Sequence, residues 1–206
     1  MRRGGFSAPS EEIWRLVGQG FETSLNELMD WEAIDDSEME AGLEAADLML
    51  IRQQNNGRYV TNIGALQRWW LYRMTHSRRQ LLEKMTFFWH DHFATSVLQV
   101  NYVLGAPFGD NATLDGTEKP LMLVQNELLR QYALGNFKEM VHAIARDPAM
   151  ILWLNNAENR VGNANENWAR ELLELFTVGE SSESAAYTEF DIQEAARGFT
   201  GWTSTG

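Results

Sequence analysis

Apolar side chains recur three or four residues apart along nearly the whole chain, and each such run is bounded by a capping residue or a turn. That spacing puts them on one face of an α-helix. A half-buried strand would alternate every second residue, a pattern the chain lacks. Ser10 caps a short helix to about Gly18, and Glu11 and Glu12 favour its positive end. A second helix fits Thr23 to Met29. Asp36 starts a third, which carries Met39, Leu43, Ala46 and Leu50 and ends at Asn55-Asn56-Gly57. Ile63 to His76 is the next. Ser77 followed by Gln80 has the form of a capping box and opens a helix carrying Leu81, Met85, Phe88, Trp89 and His92. Ala94 to Thr117 is dense in turn-formers and is expected to be an irregular loop. Further helices run from Pro120 to Leu134, from Asn136 to Arg146, from Asp147-Pro148 to Leu154, from Asn165 to Thr177 and from Thr188 to about Gly198. The expected fold is all-α, a multi-helix orthogonal or irregular bundle, with residues 1–206 in one domain and no second domain.

Several function classes fall away on composition. The chain of 206 residues has no cysteine, which excludes a disulfide framework, a thiolate nucleophile and Cys-ligated zinc. Its longest apolar run, Ala149 to Leu154, is far short of the ~18 residues that span a membrane, so no transmembrane segment is expected. With 17 basic and 29 acidic side chains the formal charge is −12, which argues against nucleic acid as a partner. Arg2 and Arg3 are not followed by an apolar stretch, so the opening does not read as a signal peptide. The charge is uneven. Residues 11–50 hold twelve acids and one base, Arg15, whereas residues 68–84 hold five bases against Glu83. These segments either attract one another or leave the basic one as an anion site for phosphate or sulfate.

Four features of the sequence could carry chemistry. In Phe88-Trp89-His90-Asp91-His92-Phe93, two histidines and an aspartate offer metal ligands or an acid–base group. On a continuous helix His90 and His92 point about 200° apart, so they share a metal only where the helix ends. His92 also falls on the apolar face with Met85 and Phe88, where a packed structural histidine is the alternative. In Asn165 to Phe176, the stripe Trp168, Leu172, Leu175 and Phe176 is apolar, and Glu166, Arg170 and Glu174 form an i, i+4, i+8 ladder opposite. Glu171 and Glu174, joined by a histidine from elsewhere, would make an oxygen-rich site for a divalent metal. Asp191, Glu194 and Arg197, at i, i+3 and i+6, read as structural. The eight tryptophans fit apolar helix faces, with sugar or peptide stacking as the alternative. No phosphate loop, GxSxG elbow or HExxH is present.

Several segments in order carry a family resemblance: Trp69-Trp70 with Arg73-Met74, EKMTFFWHDHFATS (83–96), LGNF (134–137), DPAM (147–150), NENWARELLELFTVGE (165–180) and YTEFDIQEAARGFTGW (187–202). Together they resemble the bacterial family called domain of unknown function 1800. Arg2-Arg3-Gly4-Gly5-Phe6-Ser7 is also similar to its opening, with Ser7 where glycine is usual. The resemblance implies a large, mostly helical bacterial protein without an established activity, substrate or cofactor. It leans towards export to the periplasm and towards a sulfatase-like protein, encoded by a neighbouring gene, as a partner. The family domain extends past the GW motif, so the chain is expected to be the N-terminal portion of a larger helical domain. The missing C-terminal part would then be a partner, and an apolar patch would mark where it packs. The matched polar positions are His90, His92, Asn165, Glu166, Asn167, Arg170, Glu171, Glu174, Asp191 and Arg197.

Two readings follow. In one, a buried polar or metal site lies between the helix ending at His92 and the helix starting at Asn165, with His90 or His92 and Glu171 or Glu174 as ligands or an acid–base pair. In the other, the chain is a non-catalytic surface or carbohydrate- or protein-binding module, and the same residues are caps and ladders. Burial of the carboxylates discriminates between them.

Overall fold

Side-chain caps set five of the helix starts among the described residues. The computed structural model describes residues 4–6, 8–48, 62–106, 119–179 and 186–202, and over these the chain is all-α, with eleven α-helices and no strand. The N-terminal elements are α1 (Ser10–Gln19), α2 (Phe21–Met29) and α3 (Ser37–Ala45). The middle of the chain holds α4 (Ile63–His76), α5 (Gln80–His92) and α6 (Val97–Val103). After it come α7 (Leu121–Tyr132), α8 (Phe137–Ile144), α9 (Pro148–Trp153), α10 (Asn167–Glu171) and α11 (Glu189–Gly198). Asn62 and Asn136 accept the Ala65 and Glu139 amides with their side chains, at 2.8 and 3.2 Å. Asp147 accepts the Met150 amide at 2.9 Å, with Pro148 in the first turn of α9. Thr188 and Asp191 close a reciprocal capping box on α11.

At other helix starts the local signal is overruled. Ser10 lies inside α1, after Pro9, and makes no cap. Asp36 precedes α3 without capping it. Its buried carboxylate instead takes the Ser77 hydroxyl at 2.8 Å and the Arg78 amide at 2.7 Å. Ser77 and Gln80 therefore do not form the expected capping box. Ser77 ends α4, and Gln80 donates back to the Ser77 carbonyl at 2.6 Å while accepting the Phe6 amide at 3.0 Å. The expected irregular loop from Ala94 contains α6, capped by Ser96, which accepts the Gln99 amide. Residues 107–118, and the expected stop at Asn55-Asn56-Gly57, lie outside the described residues.

Helix α7 joins the two main apolar clusters. One gathers Met39, Leu43, Leu66, Trp69, Val100, Leu121 and Leu152, and the other Phe93, Leu129, Met140, Ile144, Met150, Trp168 and Phe176. A third, of Ala169, Ile192 and Ala196, seats α11 on α10. Burying such side chains supplies about 1.5–3 kcal/mol each, the main force holding short helices together. Helix α3 lies so close to α4 that a Cβ on Gly42 would collide with the Tyr72 hydroxyl. The α1–α2 hairpin differs from the rest. None of its residues is fully buried, and Trp14, Val17, Phe21 and Met29 are exposed.

Candidate functional site

Helix α5 ends at His92, but its two histidines have different surroundings. His90 is half-buried and meets Trp70 edge-on at 4.9 Å. Burial pushes its pKa down, against the opposing pull of Asp91. His92 sits among Phe88, Trp89, Phe93, Phe137 and Phe176. Its Nε2 lies 3.0 Å from the Phe176 carbonyl. A carbonyl only accepts, so Nε2 carries a proton and donates it to this carbonyl. The carbonyl belongs to a π-helical turn, Leu172–Thr177, that continues α10. Such turns replace the i→i+4 ladder, here with Val178 donating to the Leu173 carbonyl at 3.0 Å.

Three carboxylates of this region converge on one arginine. Arg170 reaches Glu166 and Glu174 at 3.0 Å each, the expected ladder, and also Glu189 on α11. These acids hold the Arg170 guanidinium protonated, with its pKa above the ordinary arginine value. Glu171 is half-buried and has no hydrogen bond or ion pair among the described residues. Asp191 takes the Thr188 amide and hydroxyl, both at 2.7 Å, and these bonds hold its pKa down. Arg197 pairs on the surface with Glu194 at 2.7 Å. Among the described residues no three His, Asp or Glu side chains are placed to hold one metal ion. His90, His92, Glu171 and Glu174 thus form no such group. Glu174 is drawn to Arg170, the Nε2 of His92 to a carbonyl, and His90 to Trp70.

The role of Asn165 is clear from the fold. Its Oδ1 accepts the Asn167 amide at 3.0 Å, and its own amide donates to Asn159 Oδ1 at 3.0 Å. Asn159 also donates to Asn156 Oδ1 at 3.3 Å and to the Ala196 carbonyl at 2.8 Å. This chain of buried amides ties the α10 entry to α11. Asn156 and Asn159 carry no periodic signal in the sequence.

The burial of two carboxylates, Glu83 and Asp147, was also not legible. Glu83, on α5, is fully buried and accepts from Arg73 Nε at 3.1 Å and from Arg130 Nε and Nη2 at 3.0 Å. Arg130 also donates to Asn126 at 2.7 Å, and Arg73 to Glu40 at 2.7 Å. The Trp69 ring has the two guanidinium carbons 5.1 and 5.3 Å from its centroid. Burial pushes the Glu83 pKa up, but the bonds and charge of Arg130 and Arg73 outweigh it and hold the carboxyl below the usual range. Asp147 has no such cation. Burial pushes it up to about 6, against its bonds to Met150 and Gln125. Its Oδ1, like Gln125 Oε1, is buried without a partner among the described residues.

The basic segment is largely occupied by its own chain. Arg79 donates to the Ile34 carbonyl at 2.9 Å and Lys84 to the Gly5 carbonyl at 3.0 Å. With Arg73 on Glu40, they bring the acidic N-terminal segment onto α4 and α5. Of the eight tryptophans, all of them described, only Trp14 is exposed.

In comparison with known proteins, the family model for a protein of unknown function, DUF1800, matches residues 1–206. No curated protein and no solved structure matches the chain.

Proposed function

The chain belongs to the DUF1800 family, and from that premise we propose that it serves as a non-catalytic helical binding module whose α1–α2 hairpin docks a protein partner. The observation that carries this is the outer face of the hairpin. Trp14 is 73% exposed and Phe21 75%, and each belongs to an apolar stripe, Trp14 with Val17 and Phe21 with Leu25 and Met29. Large apolar side chains left in water at helical spacing mark a surface that another apolar surface covers. The stripes lie among exposed acids, Glu11, Glu22, Asp30 and Glu32, so the partner is a helix with an apolar face bordered by basic side chains. Asn165, Glu166, Arg170 and Glu174 support the same reading, because they serve as a ladder and loop ties. One exposed tryptophan is too few for a sugar-stacking platform, which favours protein over carbohydrate.

The test uses a short helical peptide of leucine and lysine, titrated onto the protein and onto a Trp14→Ser/Phe21→Ser variant checked for helix content. The protein is expected to bind the peptide, more weakly at raised salt, and the variant to lose about tenfold in affinity or more. Equal binding by both proteins sinks the reading. So does stoichiometric metal in the wild type that a His90→Ala/His92→Ala variant loses, because that would make the His/Glu metal site the function.

A further inference from the structure

The inner side of the same hairpin bounds a cleft. It lies between α1–α2 and the turn joining α4 to α5, and its volume of about 530 Å³ falls in the range of small-ligand pockets. Leu16, Leu28 and Ile34 supply an apolar lining. Glu12 and Glu27 line it from the hairpin, and Arg78 from the turn.

The charges around the cleft are incompletely matched. Arg15 bridges Glu12 at 2.7 Å and Glu27 at 2.5 Å. Two carboxylates thus share one guanidinium, which leaves a net negative charge on the hairpin wall. Arg78 gives its amide to Asp36, but its guanidinium has no hydrogen bond or ion pair among the described residues. Its charge acts on both Glu12 and Glu27, yet neither forms an ion pair with it. A positive group and a negative wall therefore line the same partly apolar cleft. A simple anion would meet the two carboxylates, and a simple cation would meet Arg78. A dipolar ligand with apolar side chains satisfies both ends and the lining. A single amino acid would fill only part of the space.

We propose that this cleft binds a short apolar peptide with free termini, its carboxylate held by Arg78 and its ammonium by Glu12 and Glu27. The site is independent of the outer docking face, because Trp14 and Phe21 do not line it.

Titration calorimetry with trileucine tests it. The comparisons are the same peptide acetylated and amidated at its ends, and an Arg78→Gln variant with wild-type helix content. Because the Arg78 side chain is exposed and makes no bond of its own among the described residues, the variant is expected to fold. Free trileucine should bind the wild type saturably, and either capping the peptide or Arg78→Gln should weaken it by about tenfold or more. Absence of saturable binding overturns the proposal, as does equal affinity for free and capped peptide or for wild type and variant. The Trp14→Ser/Phe21→Ser variant should bind trileucine as the wild type does, so the outer-face reading and this one fail separately.

Discussion

Two arginine–glutamate clusters hold this molecule together at different depths. In the first, Glu83 is fully buried between Arg73 and Arg130, and the three side chains come from α5, α4 and α7. In the second, Arg170 joins Glu166, Glu174 and Glu189, with its own side chain and two of the acids at least a third exposed. The chemistry is the same, but the energetics are not. A half-exposed pair gains little, because water already solvates both charges. A buried pair adds little relative to an apolar pair of the same shape, yet losing one partner strands the other in a medium that cannot solvate it. The difference teaches that the cluster easiest to see in the sequence is the one least able to unfold the protein.

The largest expected effect comes from Glu83→Gln. It leaves Arg73 and Arg130 mostly buried without their carboxylate, and should cost about 3–5 kcal/mol in urea unfolding. A loss as small as that of Arg170→Ala would break the comparison. The pH dependence follows from the sign of the shift. The folded-state pKa of Glu83 is lowered, so its stabilisation is present above the unfolded carboxylate pKa and is lost as pH falls through the folded value.

Asp147 sharpens the contrast, as a buried carboxylate without a cation. Its folded-state pKa is raised to about 6, so the protonated form is the one folding favours. Stability on this account is greatest below the unfolded pKa and falls as pH rises to about 6, the reverse of Glu83. Asp147→Asn keeps an acceptor for the Met150 amide and brings N–H donors to a region where Gln125 Oε1 has no partner among the described residues. The variant should gain up to about 3 kcal/mol at neutral pH and nothing in acid. Equal gains at both pH values would show that the effect is not protonation. The smallest effect is expected from Arg170→Ala, under about 1 kcal/mol and shrinking with salt, which thermal melts at two ionic strengths would check.

Much of the fold was legible because its cause is local. The bounds of α4, from Ile63 to His76, follow from the apolar spacing, and the structure adds the Asn62 cap. The caps at Asn136, Asp147 and Thr188 stand where the residue types require them. Legibility stopped where a capping residue had a distant rival. Asp36 is drawn to Ser77 and Arg78, 41 and 42 residues on. In the candidate site, the Glu166–Arg170–Glu174 ladder could be read from its spacing, and only the tertiary fold adds Glu189. The polar motif at 165–167 stood out, but its reason, the tie to Asn159 and through it to α11, had no spacing to show it.

By itself, then, the sequence determined an all-α chain, the family to which it belongs and most of the helix starts. Periodicity and capping act within a turn or two of helix, and the family match spans the whole chain. Only the tertiary structure decided which charges are buried together, which capping side chains are diverted and which apolar stripes stay uncovered. Those outcomes depend on partners far apart in sequence. They depend also on how much water packing leaves around each group, which neither composition nor spacing records.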